Sequence, residues 1–215
     1  MEPNDFAAEF INELESIPEL TTAPMRKLRR KYSKKLRDED ALYVFEVVHL
    51  ILDTSKYRWI VYEFIKYHHD AFHSLDRKSL ETLGYGMNSW SSVDCFSRTL
   101  SGPAWRDGLI SEDTIRDWAQ SPDRWWRRAA LVSTVALNMR SYGGKGDACN
   151  TLAICGMLVT DYDDMVVKAL SWALRELVVH DPAEVERFLY VHDDVLAARV
   201  KREVRNKLET GLKNP

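Results

Sequence analysis

The chain alternates between stretches in which apolar residues recur at helical spacing and short polar connections. Near the N-terminus, residues 4–16 place Phe6, Phe10, Ile11 and Leu14 on one helical face. A Pro-containing break over residues 17–24 then precedes a basic helix whose apolar stripe is thin. The same periodicity predicts further helices over residues 39–52, 56–69, 76–85, 90–101, 111–119, 122–140, 146–159, 162–179, 182–191 and 193–209. We therefore predict an all-α protein.

The helix lengths and the scarcity of chain breakers favour a helical repeat architecture. The 215 residues include only 9 Gly and 7 Pro, which favours long helices over strands and turns. Pairs of amphipathic helices joined by short loops are typical of an α-solenoid of HEAT-like antiparallel helix pairs, which leaves a concave face for an extended partner. Because no clear internal repeat is visible, this prediction rests on helix lengths. We expect residues 1–215 to form a single domain of this kind.

Two helix starts carry capping signals. Ser121 precedes Pro122, and Asp181 precedes Pro182. A polar N-cap followed by proline in the first turn is a common way to begin a helix. We expect helices to start at these two positions.

Several features of the sequence limit the classes of protein to which the chain can belong. Since no apolar run reaches about 18 residues and the acidic N-terminus has no signal pattern, we expect no membrane span and a cytoplasmic location. The three cysteines lack metal-ligand spacing and are interpreted as buried, reduced thiols. The histidines at positions 68, 69 and 73 lack a third ligand in a recognisable motif and are assigned to the surface. We expect no metal, no cofactor and a monomer.

The charge is unevenly distributed. The net charge is −3, but residues 1–19 carry six acidic residues and no basic ones, so the rest of the chain has a net charge of +3. Residues 26–37 carry eight Lys and Arg residues without an acid. A solvated helix face explains such a run as well as a nucleic-acid contact does.

Three segments follow one another in a recognisable order. They are Trp90-Ser-Ser-Val-Asp94; Trp118-Ala-Gln-Ser-Pro-Asp-Arg-Trp-Trp-Arg-Arg128-Ala-Ala; and Lys168-Ala-Leu-Ser-Trp172-Ala-Leu-Arg-Glu176. The ordered set resembles the DNA alkylation repair (AlkD-like) family of HEAT-repeat DNA glycosylases, over roughly residues 22–209. Each motif alone is modest, whereas the three in this order are specific.

The resemblance implies a site. It assigns Trp90, Asp94 and Trp172 to the catalytic cleft and Arg128 to a DNA phosphate, with Arg127 as a further phosphate contact. We also expect the basic helix to contact DNA through Arg26, Lys27 and Arg30. Taken one by one, each tryptophan could be a core residue, Asp94 a cap or surface charge, and Arg128 half of an ion pair.

The chemistry that the resemblance implies fits these residue types. Trp90 and Asp94 are four residues apart and share a helix face. Excision of a cationic N3- or N7-alkylated purine from duplex DNA passes through a sugar with oxocarbenium character, which a carboxylate stabilises electrostatically. Indole rings attract the cationic base. The leading hypothesis is therefore a DNA glycosylase-like protein that acts on alkylated duplex DNA.

One departure from the family supports a second hypothesis. Family members usually have a longer segment, forming a DNA-contacting helix, between the first helix and the stretch that begins here at Thr22. Only residues 16–23 separate the two here, and fewer basic groups lower DNA affinity. The alternative is a non-catalytic HEAT-repeat scaffold that binds nucleic acid weakly or binds a protein partner.

Overall fold

The computed structural model describes residues 1–54 and 57–215, and throughout these residues the regular structure is helical. The prediction of an all-α protein is confirmed. The helices are α1 (Pro3–Glu15), α2 (Thr22–Leu36), α3 (Ala41–Thr54), α4 (Arg58–Lys66), α5 (His69–His73), α6 (Arg77–Gly84), α7 (Trp90–Phe96), α8 (Gly102–Arg106), α9 (Glu112–Ala119), α10 (Arg124–Asn138), α11 (Ala148–Met157), α12 (Asp164–Leu177), α13 (Pro182–Val191) and α14 (Ala198–Thr210).

The chain forms two compact units, Met1–Tyr85 and Gly86–Pro215. In the first, α1 packs on α3, and α3 packs on α4 and α5. In the second, α10 packs on α12 and α12 on α14. This packing of alternate helices is consistent with the predicted α-solenoid. The concave face and the single domain over residues 1–215 remain predictions.

Aromatic side chains fill the core of the first unit. The ring of Phe10 is 5.1 Å from that of Tyr32 and 5.1 Å from that of Phe64, both in edge-to-face geometry. All three rings are almost fully buried. Such contacts add to the free energy gained by burying the rings, so they fix α1 against α2 and α4.

The second unit is organised around α10. Its residues from Arg128 to Asn138 are all buried, because α7, α8, α9, α11 and α12 surround it. A helix that is apolar on most sides belongs in a core. The side chains of α10 from Arg128 onwards are therefore held in fixed positions.

Several predicted helix limits are corrected by local capping. The predicted helix over 56–69 ends at Lys66, and its predicted start at residue 56 lies outside the described residues. His68 is buried, so its predicted surface position is wrong. Its backbone is extended, and its Nδ1 accepts a hydrogen bond from the Ala71 N–H at 3.1 Å, which begins α5. The helix predicted from residue 122 begins at Arg124, because Asp123 is the N-cap. Asp181 caps α13 as predicted.

Two other predicted limits are wrong for different reasons. The helix predicted over 90–101 continues to Arg106 through a π-helical turn, Ser97–Ser101. Pro103 has no N–H to donate to the preceding turn, and the wider turn lies directly before it. The helix predicted over 193–209 begins at Ala198, because the chain forms turns over residues 192–195, where Asp193 pairs with Lys201 and Arg205 of α14.

Candidate functional site

Close packing of two helices positions the candidate site. Gly102 starts α8 where it crosses α10, and a Cβ there would lie 2.5 Å from the Cβ of Ala136 and 2.7 Å from the carbonyl oxygen of Ser133. Beside it, the buried hydroxyls of Ser101 and Ser133 form a 2.7 Å hydrogen bond. Small residues therefore let the α7–α8 segment approach α10 closely. This close packing fixes the side chains of the segment relative to those of α10.

Asp94 and Arg128 form a buried, bidentate ion pair. Arg128 Nε donates to Asp94 Oδ1 at 2.8 Å, and Arg128 Nη2 donates to Oδ2 at 2.9 Å. The third nitrogen, Nη1, donates to the carbonyl oxygen of Met165 in α12 at 2.5 Å. Such a pair of parallel N–H···O hydrogen bonds between a guanidinium and a carboxylate is among the strongest interactions that side chains form. It ties α7, α10 and α12 to one point.

Burial and charge act in opposite directions on Asp94. Burial raises the pKa of its carboxyl above the ordinary value, while the hydrogen bond and charge of Arg128 and the charge of Arg98 lower it. The side chain of Asp94 is 13% exposed to solvent, and that of Arg128 is 6% exposed. Asp94 is therefore the less buried partner of the pair.

The two tryptophans of the predicted site differ in their surroundings. Trp90 begins α7, where Ser89 caps the helix, and its side chain is exposed. Trp172 lies on α12 and is half-buried. Its indole Nε1 donates to Glu176 Oε1 at 2.9 Å, one turn along the same helix. Trp90 therefore offers a free aromatic face one helical turn from Asp94, whereas Trp172 is held in place.

Arg127 is engaged with a different acid. Its Nε donates to Asp161 Oδ2 at 2.6 Å, and its Nη1 donates to the carbonyl oxygens of Ser121 and Pro122. Its side chain is 20% exposed. The contacts join the start of α10 to the loop before α12, so Arg127 has a structural role here. Its predicted phosphate contact stays a prediction.

The predicted DNA contacts Arg26, Lys27 and Arg30 belong to the first unit, on α2. All three are exposed. Arg26 lies 3.5 Å from Glu63, which also binds the buried Arg29 at 2.8 Å. For Lys27 and Arg30 no carboxylate lies within ion-pair distance among the residues that the structure describes. These two side chains are free to meet a polyanion.

The acidic first helix neutralises part of the basic helix. Lys31 pairs with Glu13 at 2.5 Å and Lys35 with Glu9 at 2.7 Å. Exposed pairs of this kind contribute little to stability. They do reduce the positive field of α2, so the basic run in the sequence overstates the charge that this helix presents.

Two residues of the site were missed by sequence reasoning. Arg98 lies one helical turn after Asp94, and its Cζ is 5.6 Å from the centre of the Trp172 ring and 5.1 Å from that of Tyr142. The four-residue spacing from Trp90 through Asp94 to Arg98 is the signal that could have identified it. Tyr142 had no such signal, because it lies in the connection after α10.

A buried polar network holds that connection in place. Asn138 donates to the Thr134 carbonyl and the Thr151 hydroxyl, and its Oδ1 accepts from the Asp147 N–H. Arg106 donates to the Tyr142 carbonyl. The Gly-rich segment from Tyr142 to Gly146 is thereby fixed at both ends, and Tyr142 is held over Arg98.

The site carries no arrangement typical of a metal centre. Over residues 1–54 and 57–215, no group of three or more His, Cys, Asp and Glu side chains could hold a metal ion. Within the same residues, no helix has the length and apolarity needed to cross a membrane. Of the three cysteines that the sequence predicts to be buried, Cys155 is buried, whereas Cys95 is half-buried and Cys149 is exposed.

Comparison with known proteins identifies the family. A family model described as DNA alkylation repair enzyme matches residues 6–208. No curated protein and no solved structure matches the chain. The match spans all three sequence motifs and nearly all of both units. The protein therefore belongs to the DNA alkylation repair enzyme family, which gives it a role in the repair of alkylated DNA.

Proposed function

We propose that the protein is a DNA glycosylase that removes cationic N3- or N7-alkylated purines from duplex DNA. The observation that carries the proposal is the buried pair of Asp94 and Arg128, which holds a carboxylate one helical turn from the exposed Trp90. Release of such a base leaves positive charge on the deoxyribose in the transition state. A fixed carboxylate near that sugar lowers the barrier without having to reorient.

Arg128 has two effects on this carboxylate. Its charge and hydrogen bonds favour the ionised form of Asp94 by opposing the rise in pKa that burial causes, and its fork fixes the direction of both oxygens. Each carboxylate oxygen has a further acceptor site. Because Asp94 is the more accessible partner, its negative charge lies closer to a bound sugar than the positive charge of Arg128. The pair therefore acts on the sugar as an oriented dipole.

The leaving group needs little help from the protein. When the C1′–N bond breaks, the cationic alkylated purine takes the bonding electrons and departs as a neutral base, so no strong general acid is required. Water from the solvent then adds to C1′ of the sugar and loses a proton, which completes the hydrolysis. The exposed face of Trp90 would attract the cation by about 0.5–2 kcal/mol. Within this proposal, Trp90 binds the base and Asp94 stabilises the sugar, which gives the two residues different roles on one helix.

A second candidate function is favoured by one observation. Both oxygens of Asp94 are already bound by Arg128, and Arg98 lies over the ring of Trp172. A protein that holds these groups for stability alone would be a non-catalytic helical scaffold that binds nucleic acid weakly or binds a protein. The two functions differ in whether any base is released.

Release of methylated bases from duplex DNA tests the proposal. Wild-type protein and Asp94→Asn are incubated with DNA that carries 3-methyladenine or 7-methylguanine, and the free bases are quantified. Asn keeps the shape and removes the charge, so we expect release to fall by roughly 10²–10³-fold, as when one electrostatic contact to a transition state is removed. No release by wild-type protein at high concentration would refute the glycosylase and leave the scaffold.

A matched control separates catalysis from stability. Glu203 is a buried carboxylate in the same unit, where it accepts a 2.6 Å hydrogen bond from Ser171 and lies 3.9 Å from Arg175. Glu203→Gln should lower the unfolding temperature and leave base release unchanged at a temperature where the variant is folded. Equal losses of activity in both variants would assign the effect of Asp94→Asn to stability.

A further inference from the structure

Arg98 is held in an unusual environment for an arginine. It is half-buried on the π-helical turn that follows α7. Its guanidinium carbon lies over the rings of Tyr142 and Trp172, at 5.1 and 5.6 Å from their centres. Rings at these distances stabilise a cation and leave its edge groups available. The side chain is therefore oriented without being neutralised.

One hydrogen-bond donor of Arg98 is unsatisfied. Its Nε is shielded from solvent and has no hydrogen-bond partner. Within the described part of the chain, no carboxylate lies within 4.0 Å of its guanidinium, whereas Arg127, Arg128 and Arg175 of the same unit each pair with an acid. A buried donor without an acceptor costs about 1–3 kcal/mol. An anion that supplied acceptors would remove this cost.

Arg128 cannot supply a free cation to a ligand in this arrangement. All three of its nitrogens donate to Asp94 or Met165, and its side chain is 6% exposed. Binding a phosphate there would break the pair that holds Asp94. Arg98 lies one turn further along the helix from Asp94, and it has the open donors that Arg128 lacks.

We propose that Arg98, and not Arg128, binds a phosphate of the DNA backbone beside Asp94. This inference rests on the proposed function. The planar fork of the guanidinium matches two phosphate oxygens, and the rings of Tyr142 and Trp172 preorganise it. Arg128 then serves as a positioning residue for Asp94. The phosphate contact sets the position of the nucleotide, so that its sugar meets the carboxylate.

The salt dependence of DNA binding tests this assignment. A labelled duplex that contains a tetrahydrofuran abasic analogue is titrated with wild-type protein and Arg98→Gln between about 50 and 200 mM salt, with fluorescence anisotropy as the readout. The slope of log K against log salt is negative, and loss of one phosphate contact makes it shallower by about 1. We expect this change in Arg98→Gln, together with a roughly tenfold weaker Kd.

Three further variants make the result specific. Arg187→Gln removes an exposed arginine that pairs with Glu184 at 2.5 Å, and should leave the slope unchanged. Arg98→Lys keeps the charge and loses the fork, so it should restore the slope and only part of the affinity. Arg128→Gln should leave the slope unchanged. Circular dichroism melting confirms that each variant is folded at the assay temperature.

The inference and the proposed function fail in different ways. Base release by wild-type protein, with an Arg98→Gln slope equal to the wild-type slope, would overturn the role of Arg98 alone. A slope made shallower by Arg128→Gln and not by Arg98→Gln would show that Arg128, and not Arg98, binds the phosphate. A shallower Arg98→Gln slope without any base release would overturn the glycosylase and support the DNA contact. Wild-type protein that shows no salt-dependent binding to the duplex would overturn both.

Discussion

Replacing Arg128 by Gln tests whether the buried ion pair organises the second unit. The substitution removes the charge and two of the three contacts that join α7, α10 and α12. It leaves the carboxylate of Asp94 buried without a counter-charge. A double variant, Asp94→Asn with Arg128→Gln, removes both charges and keeps similar side-chain volumes. The four proteins form a double-mutant cycle.

The structure sets the expected magnitude. The side chains of Asp94 and Arg128 are 13% and 6% exposed, so solvent screens the pair weakly. Breaking one partner of a buried pair costs about 3–5 kcal/mol of unfolding free energy. Because Gln can still donate one hydrogen bond, we expect about 3 kcal/mol for Arg128→Gln. For a chain of this size, that corresponds to a Tm lower by roughly 6–12 °C.

The pH dependence of the same variant has a defined sign. Burial raises the pKa of Asp94 in the folded protein, and Arg128 opposes the rise. Without Arg128 the folded pKa lies further above the unfolded one. The protonated carboxyl then stabilises the folded state at low pH, and this contribution is lost as the pH rises through the folded pKa. The loss of unfolding free energy caused by Arg128→Gln should therefore be largest at neutral pH and become smaller on acidification.

Urea denaturation at several pH values measures these effects. The double variant should lose about 1–2 kcal/mol less than the sum of the single variants, because it leaves no unpaired charge. Single-variant losses under about 1 kcal/mol, or strictly additive losses, would refute the interpretation of the pair as a buried, coupled unit. A loss of unfolding free energy that becomes larger on acidification would refute the role assigned to burial.

The remaining predictions concern the site and the packing around it. Because burial raises the pKa of Asp94, base release should decline on acidification with a midpoint above the ordinary aspartate value of about 3.9, and a pH–rate profile with a lower midpoint would contradict this. Gly102→Ala should destabilise the protein by about 1–3 kcal/mol in thermal melts, whereas Gly156→Ala, where the nearest atom to a new Cβ is 4.0 Å away, should be neutral or stabilising. Glu63→Gln should lower the urea midpoint, because it leaves the buried Arg29 without its acid; an unchanged midpoint would show that Arg29 does not depend on it.

Much of the fold follows from periodicity along the chain. The helix predicted over residues 182–191 has those limits in the structure, because Asp181 and Pro182 define its start locally. The break between α4 and α5 was missed, since the His68 side chain caps a new helix and its Nε2 also makes a 3.1 Å hydrogen bond with the carbonyl of Glu39. A contact across 29 residues of sequence leaves no periodic signal.

The site was only partly predictable. Motif order gave Trp90, Asp94, Arg128 and Trp172 as candidates, but it could not show which of them touch. The pairing of Asp94 with Arg128 bridges 34 positions in the sequence. It exists because Gly102 and Ser133 allow two helices to approach closely.

The sequence by itself determined the all-helical class, the family and the residue types of the site, because apolar spacing and short motifs are local properties. The tertiary structure alone decided which cation is available. It pairs Arg128 with Asp94, and it leaves Arg98 over the rings of Tyr142 and Trp172 with its Nε donor unsatisfied. The physical reason is that the availability of a charge depends on its neighbours in space, and helix packing brings those neighbours from distant parts of the chain.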